Sequence, residues 1–280
     1  MPRGISIHVG LNTVDPDHYD GWDGALNACE FDANDMRSLA ETKAFESTTL
    51  LTKDATADAV KAAIESAAKK LASGDILFMT YSGHGGQVPD RNDEDEKDRS
   101  DETWVLYDRQ LVDDELYALW AMFQPGVRVF VLSDSCHSGT VTRRIDADVP
   151  NVVATAESAA KQSPRYRALP RDKMIATYEA NADEYDKIQK ALPTSEKAEI
   201  GATVLLISGC QDDQLSLDGF SNGLFTENLL AVWDKGAWQG SYPRFHKAIV
   251  SRMPNTQTPN YTQVGAQARD FEQQDPLTVD

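Results

Sequence analysis

DILFMTYSGHGG, residues 75–86, is an apolar run that stops at Gly83 and leaves His84 between small residues. A continuous apolar run of this length, bounded by Gly74 and Gly83, is how a strand covered on both faces reads. Residues 126–139, GVRVFVLSDSCHSG, repeat the arrangement and leave Cys136 beyond a second apolar run. In open α/β sheets ligands bind outside the carboxyl ends of strands. Two such strands therefore deliver one imidazole and one thiol to the rim of a sheet.

Working outward, residues 5–10, 47–52, 103–108, 202–210 and 259–265 read as further strands. Residues 26–40, 54–73, 113–123, 172–192, 223–236 and 243–253 carry helical periodicity or capping signals. Strands alternating with helices predict a mostly parallel sheet covered by helices on both faces. Residues 140–200 hold four prolines and one candidate helix, too long a stretch for an ordinary loop. The expected organisation is thus one domain over 1–280. It comprises a part with the His and the Cys (1–139), an insert (140–200) and a closing part (201–280).

Composition narrows the function. The chain has 280 residues, 27 Lys and Arg against 45 Asp and Glu, and a formal net charge of −18. Such a surface repels nucleic acid and anionic lipid and attracts cationic partners; it also serves solubility alone. No apolar run reaches the length of a membrane span and no secretory leader is evident, so a cytoplasmic protein is expected. Cys29, Cys136 and Cys210 are far apart and lack C-x-x-C pairing, which argues for reduced thiols rather than disulfides or zinc. No sequence feature calls for an organic cofactor.

A thiol attacks as thiolate, and a neighbouring imidazole can take its proton and return it to a leaving amine. Cys136 is the candidate nucleophile and His84 the candidate base. His137 is the rival base, but adjacent residues on an extended segment point apart. Cys210 reads as core or cleft lining. Backbone amides at Gly85 and Cys136 are candidates to bind a developing oxyanion.

Cys136 lies 52 positions after His84 (136 − 84), the order and spacing of caspases. The local words differ from caspases. ISIHVGLN, GALNACEFDANDM, YSGHGGQVPD, DSCHSG, LLISGCQDDQLSLDG and NGLFTENLL together resemble metacaspases and their bacterial counterparts, the orthocaspases. The resemblance implies a caspase-like α/β fold with a mostly parallel central sheet of about six strands. It implies a monomeric cysteine endopeptidase that cuts basic peptides or proteins after Arg or Lys. It places Cys29, Asp32, Ser82 and Asp134 around a pocket for the basic side chain. Asp134 shares a strand face with Cys136, as i and i+2, and Asp213 is a further candidate for the wall. Asp32 could instead solvate a helix, and Asp134 could instead order the nucleophile turn.

Metacaspases often need calcium, and their ligands resemble Asp101, Asp113 and Asp114. The acidic stretch 90–102 also suits Ca²⁺ by oxygen count, although acidic runs are usually solvated and acids at a helix start favour its dipole anyway. The insert carries Arg143, Arg144, Lys161, Arg165, Arg167, Arg171 and Lys173. A protease cutting after basic residues would find its own insert a substrate; the insert could equally serve as a lid. The alternative reading is a catalytically silent module that binds basic peptides.

Overall fold

The computed structural model describes residues 2–91, 100–136, 165–192, 199–211, 214 and 216–279. Among these, six strands form one sheet: β1 (Gly4–Gly10), β2 (Glu46–Leu51), β3 (Ile76–Ser82), β7 (Arg128–Asp134), β8 (Thr203–Ser208) and β9 (Asn260–Gly265). They lie in the order β2-β1-β3-β7-β8-β9. All neighbours are parallel except β8 and β9, which run antiparallel. This is the mostly parallel sheet expected from the alternating pattern, with the six strands that the resemblance implied.

β1, β3 and β7 are buried at every position, which is why β3 and β7 read as apolar runs, whereas β1 alternates and buries Ser6 and His8 between its apolar residues. Their side chains alternate between two cores. Leu77, Met79 and Tyr81 face one, with Val60 and Ile64 of α2 (Ala57–Lys70) and Leu119 and Trp120 of α3 (Asp113–Trp120). Ile76 and Phe78 face the other, with Met36 and Leu39 of α1 (Cys29–Thr42). There they meet Leu229 of α5 (Leu224–Trp233), Phe245 of α6 (Tyr242–Val250) and Phe271 of α7 (Arg269–Gln273). Helices thus cover both faces. Phe78 and Phe130 stack at 5.6 Å across β3 and β7, the two strands that carry the candidate site. Truncating either to alanine would cost about 3–5 kcal/mol.

A second, antiparallel sheet was not expected. β4 (Gly85–Pro89), β5 (Ser100–Val105) and β6 (Gln110–Val112) pair in that order. β4 contains two glycines and a proline and β6 has three residues, so neither carries a strand pattern. The helix of the insert, α4 (Arg171–Ala191), packs against β4 and is bent at Asn181. Its buried Tyr185 packs with Val88 and Val112, accepts a hydrogen bond from the Gln110 amide at 3.1 Å and meets His18 Nε2 at 2.8 Å. No helix among the described residues is long and apolar enough to cross a membrane.

Candidate active site

β3 and β7 pair with Ser82 opposite Asp134. His84 and Cys136 each lie two residues further on, so strand register brings both motifs to the same level of the same sheet edge. The two turns touch through their backbones. A Cβ on Gly85 would lie 1.9 Å from the Cys136 carbonyl oxygen, so this close approach admits only glycine. None of Gly83, Gly85 and Gly86 has positive φ. Proximity, rather than a tight turn, is what these glycines provide.

His84 is buried, with its ring 4.6 Å from that of Trp22. Its Nε2 lies 2.9 Å from the Gly24 carbonyl, which can only accept. Nε2 therefore carries the proton and Nδ1 the lone pair. Nδ1 is buried without a hydrogen bond among the described residues. Burial pushes the imidazole down to about 4, so it is neutral at neutral pH. The sulfur of Cys136 is turned to Ser216, whose amide donates to it. Cys210 lies directly behind: its thiol donates to the Ser135 carbonyl at 3.4 Å, and its hydrogen bond with Cys136 raises it far above an ordinary thiol.

The cleft is filled by residues 165–169 of the insert, laid out in extended form. Asp218 N donates to Arg165 O at 2.9 Å, and Arg167 N to Ser216 O at 3.0 Å, an antiparallel pairing around Tyr166 and Leu217. Beyond Arg167 the pairing passes to Gly85, with Leu169 N donating to Gly85 O at 2.8 Å. Between them, the Arg167 carbonyl oxygen accepts from both the Gly85 and the Cys136 amides, each at 3.0 Å. These are the two amides that sequence reasoning proposed for an oxyanion. Two convergent amides on one carbonyl are the donor arrangement that an oxyanion would need.

The Arg167 side chain is fully buried. Nη2 bonds to Asp32 at 2.7 Å and Asp218 at 3.0 Å, and Nη1 bonds to Asp134 at 2.8 Å and Ser82 Oγ at 2.8 Å. Each carboxylate is held in turn. Asp32 accepts from Ser82 Oγ, Asn222 Nδ2 and Gly223 N; Asp134 accepts from Ser216 Oγ and Thr226 Oγ1. A Cβ on Gly223 would lie 2.6 Å from the Arg167 Cζ, so the guanidinium occupies space that only glycine leaves. Burial pushes the Asp32 carboxyl up to about 6, against the opposing pull of Arg167. Cys29 is buried behind this group, its thiol pushed up to about 12 by the same desolvation.

Of the pocket residues read from sequence, Cys29, Asp32, Ser82 and Asp134 come together, while Asp213 and the rival base His137 lie outside the described residues. Sequence reasoning missed Asp218, which sits within the quoted LSLDG, and it missed Trp22, Gly24 and Ser216. Nothing in those loop residues marks them apart from the fold that gathers them. Arg143, Arg144 and Lys161 also lie outside the described residues. Asp101 of β5 lies two residues before Thr103, which pairs with Val112, and Asp113 and Asp114 follow Val112 at the start of α3; Asp101 and Asp114 are buried rather than solvated. Even so, no group of three His, Cys, Asp or Glu among the described residues could hold a metal ion. Residues 92–99 of the acidic loop lie outside the described set.

The comparisons agree with this architecture. The family model described as Caspase domain matches residues 13–271. The crystal structure of protein GSU0716 from Geobacter sulfurreducens is 51% identical, covers 99% of each chain and superposes with a TM-score of 0.88. Caspase-1 from Spodoptera frugiperda shares the fold at a TM-score of 0.52 and 10% identity, over 94% of this chain and 88% of that one. Metacaspase-1B of Aspergillus oryzae is 30% identical over 251 residues, 79% of this chain and 57% of its own. Metacaspase-1 of Mycosarcoma maydis is 30% identical over 249 residues, again 79% of this chain and 59% of its own. The chain therefore spans about three fifths of the length of these metacaspases.

Proposed function

The chain belongs to the caspase-domain family of C14 peptidases, and from that premise we propose that it is a cysteine endopeptidase that cuts after Arg or Lys and processes its own insert. One observation carries the reading. Arg167 lies with its guanidinium among three carboxylates and its carbonyl on two amides beside Cys136, the pose of a residue about to be cut.

In this reading the sulfur rotates from Ser216 toward the Arg167 carbonyl carbon and gives its proton to the free Nδ1 of His84. The thiolate adds to the carbonyl, and the amides of Gly85 and Cys136 receive the charge that develops on oxygen. The imidazolium returns the proton to the Ala168 nitrogen as the C–N bond breaks. Water then hydrolyses the thioester. Losing one oxyanion donor typically costs on the order of 100-fold in rate. The Gly24 carbonyl fixes the tautomer that this sequence of proton transfers needs.

Calcium as an activator belongs to the same proposal. Its support is the carboxylate chemistry of Asp101, Asp113 and Asp114, on elements that pair through Thr103 and Val112 next to the acidic loop; the described residues alone do not complete a site. A bound cation would supply charge neutralisation to that loop. The reading includes a cytoplasmic, reducing setting, in keeping with three free buried thiols, and a monomer.

The test uses fluorogenic peptides ending in Arg, Lys or Asp, with and without Ca²⁺, on wild type, Cys136→Ala and His84→Ala. Arg and Lys peptides should be cut by wild type alone, and intact mass should show a cut after Arg167 that Cys136→Ala lacks. Preference for the Asp peptide, or turnover by Cys136→Ala, would overturn the assignment. Tight binding of Arg peptides by wild type without any turnover would instead favour the silent binding module.

A further inference from the structure

Beyond Arg167, the insert makes a second insertion into the body of the protein. Leu169 is fully buried, packed with Val14, Tyr19 and Val105, and against Trp22. A Cβ on Gly86 would lie 3.3 Å from Leu169 Cδ2, so the second glycine after His84 forms part of the wall. Met174 of α4, in the insert, packs against the same cluster; the other wall residues lie outside the insert. They come from the loop after β1, the start of β4 and the end of β5. The pocket is thus built by the same scaffold that holds His84.

Its position relative to the proposed cut is fixed by backbone pairing. Gly85 donates to the carbonyl of Arg167 and accepts from the amide of Leu169. Any peptide whose carbonyl enters the two-amide site in the same register therefore delivers its second following residue to this pocket. Ala168 intervenes with its backbone paired to Gly85 and its side chain on the other side of the strand.

We propose that this enzyme reads the residue two places after the scissile bond through an apolar pocket of Val14, Tyr19, Trp22, Gly86 and Val105, and so selects substrates with an aliphatic side chain there. The proposal rests on the reading of Arg167 as the residue before the cut. A substrate of this class carries a basic residue, a second residue with no pocket demand, and then Leu or a close analogue. Fully burying such a side chain, against leaving alanine, is worth roughly 10-fold to 100-fold in kcat/KM.

The experiment uses the full chain with Arg167→Ala and Leu169→Ala together, which removes its own side chains from both pockets. Quenched peptides spanning residues 164–171, with Gln in place of Arg165 and Arg171 so that Arg167 is the one basic residue, would be compared with versions carrying Ala, Asp or Phe in place of Leu, and one carrying Ala in place of the central Arg. The Leu peptide should be cut at least 10-fold faster than the Ala peptide, with the Asp peptide slower still. Adding Val14→Ala, which enlarges the pocket, should shift the ratio of Phe to Leu cleavage several-fold toward Phe. Equal cleavage of the Leu, Ala and Asp peptides, with the Arg-to-Ala peptide uncut, would overturn this pocket while leaving the basic specificity standing. Cleavage of the Arg-to-Ala peptide, or of none, would remove the basic specificity and this proposal with it.

Discussion

Asp32 and His84 occupy one cleft, and burial moves their ionisation in opposite directions. The imidazole is pushed down to about 4 and the carboxyl up to about 6. A base at about 4 is already neutral, and able to accept a proton, well below neutral pH. A carboxyl at about 6 still loses its charge on mild acidification. The carboxyl therefore governs the acid side of the activity. Below its pKa Asp32 is neutral and contributes no charge toward a guanidinium; as pH rises through about 6 it ionises and adds its charge to the pocket. That figure applies with Arg167 in place. An empty pocket loses both the cation that lowers it and, as water enters, part of the burial that raises it, and a pH–rate profile on an Arg peptide would locate the limb in kcat/KM. Asp32→Asn should abolish this limb and reduce kcat/KM at pH 7.5 on the order of 100-fold. A limb near 4 that survives Asp32→Asn would assign the titration to His84 instead. His84 and Cys136 were legible in the sequence because each follows an apolar strand, whereas Asp32, Ser82 and Asp134 were reached through the family resemblance. Asp218 was not, because its role depends on a loop held against the start of α1, where its carboxylate accepts the Asn27 and Ala28 amides.

At the scale of elements, one register sets the site: Ser82 opposite Asp134 fixes the heights of His84 and Cys136 together. β3 and β7 could be read directly, since burial on both faces writes an apolar run. β4 and β6 could not, because their strand character comes from pairing with β5 rather than from their own residues. The helix α4 was legible by period, but its destination was not. It docks on the small sheet through Tyr185, Tyr178 and Gln189, whose side-chain amide donates to Pro89 O at 3.1 Å. That docking holds the following end of residues 165–169 in the cleft, since α4 begins two residues after Leu169. Tyr185→Ala removes a fully buried aromatic ring and two hydrogen bonds, at a cost of about 3–5 kcal/mol. In a Cys136→Ala background, hydrogen exchange should then speed at least 100-fold at the Leu169 and Gly85 amides, with β3 and β7 unchanged. Unaltered protection at Leu169 would show that the cleft segment holds itself without the helix.

Across the whole molecule, a net charge of −18 is focused where three carboxylates surround a single buried cation from the chain itself. With Arg167 seated, a basic substrate from outside has no pocket to enter. Removing that side chain admits two outcomes. If the carboxylates stay dry, three buried charges lose their partner and the fold loses about 3–5 kcal/mol. If residues 165–169 leave the cleft, water reaches the carboxylates and most of that cost disappears. The second outcome should win, because the segment's other bonds to the body are backbone pairings and the exposed Arg165 side chain's bonds to Asn27 and the Ala25 carbonyl, all of which water can replace, together with one leucine side chain. Arg167→Ala should therefore lower Tm by only a few degrees, raise turnover of short Arg peptides at least 10-fold over freshly purified, uncut wild type, and stop cleavage after residue 167. Arg167→Lys, which keeps a cation in the pocket, should still be cut there and should remain as slow toward added peptide as uncut wild type. A large fall in Tm with no gain in peptide turnover would mean that Arg167 is a structural cation of the fold. The self-inhibited state would then not exist.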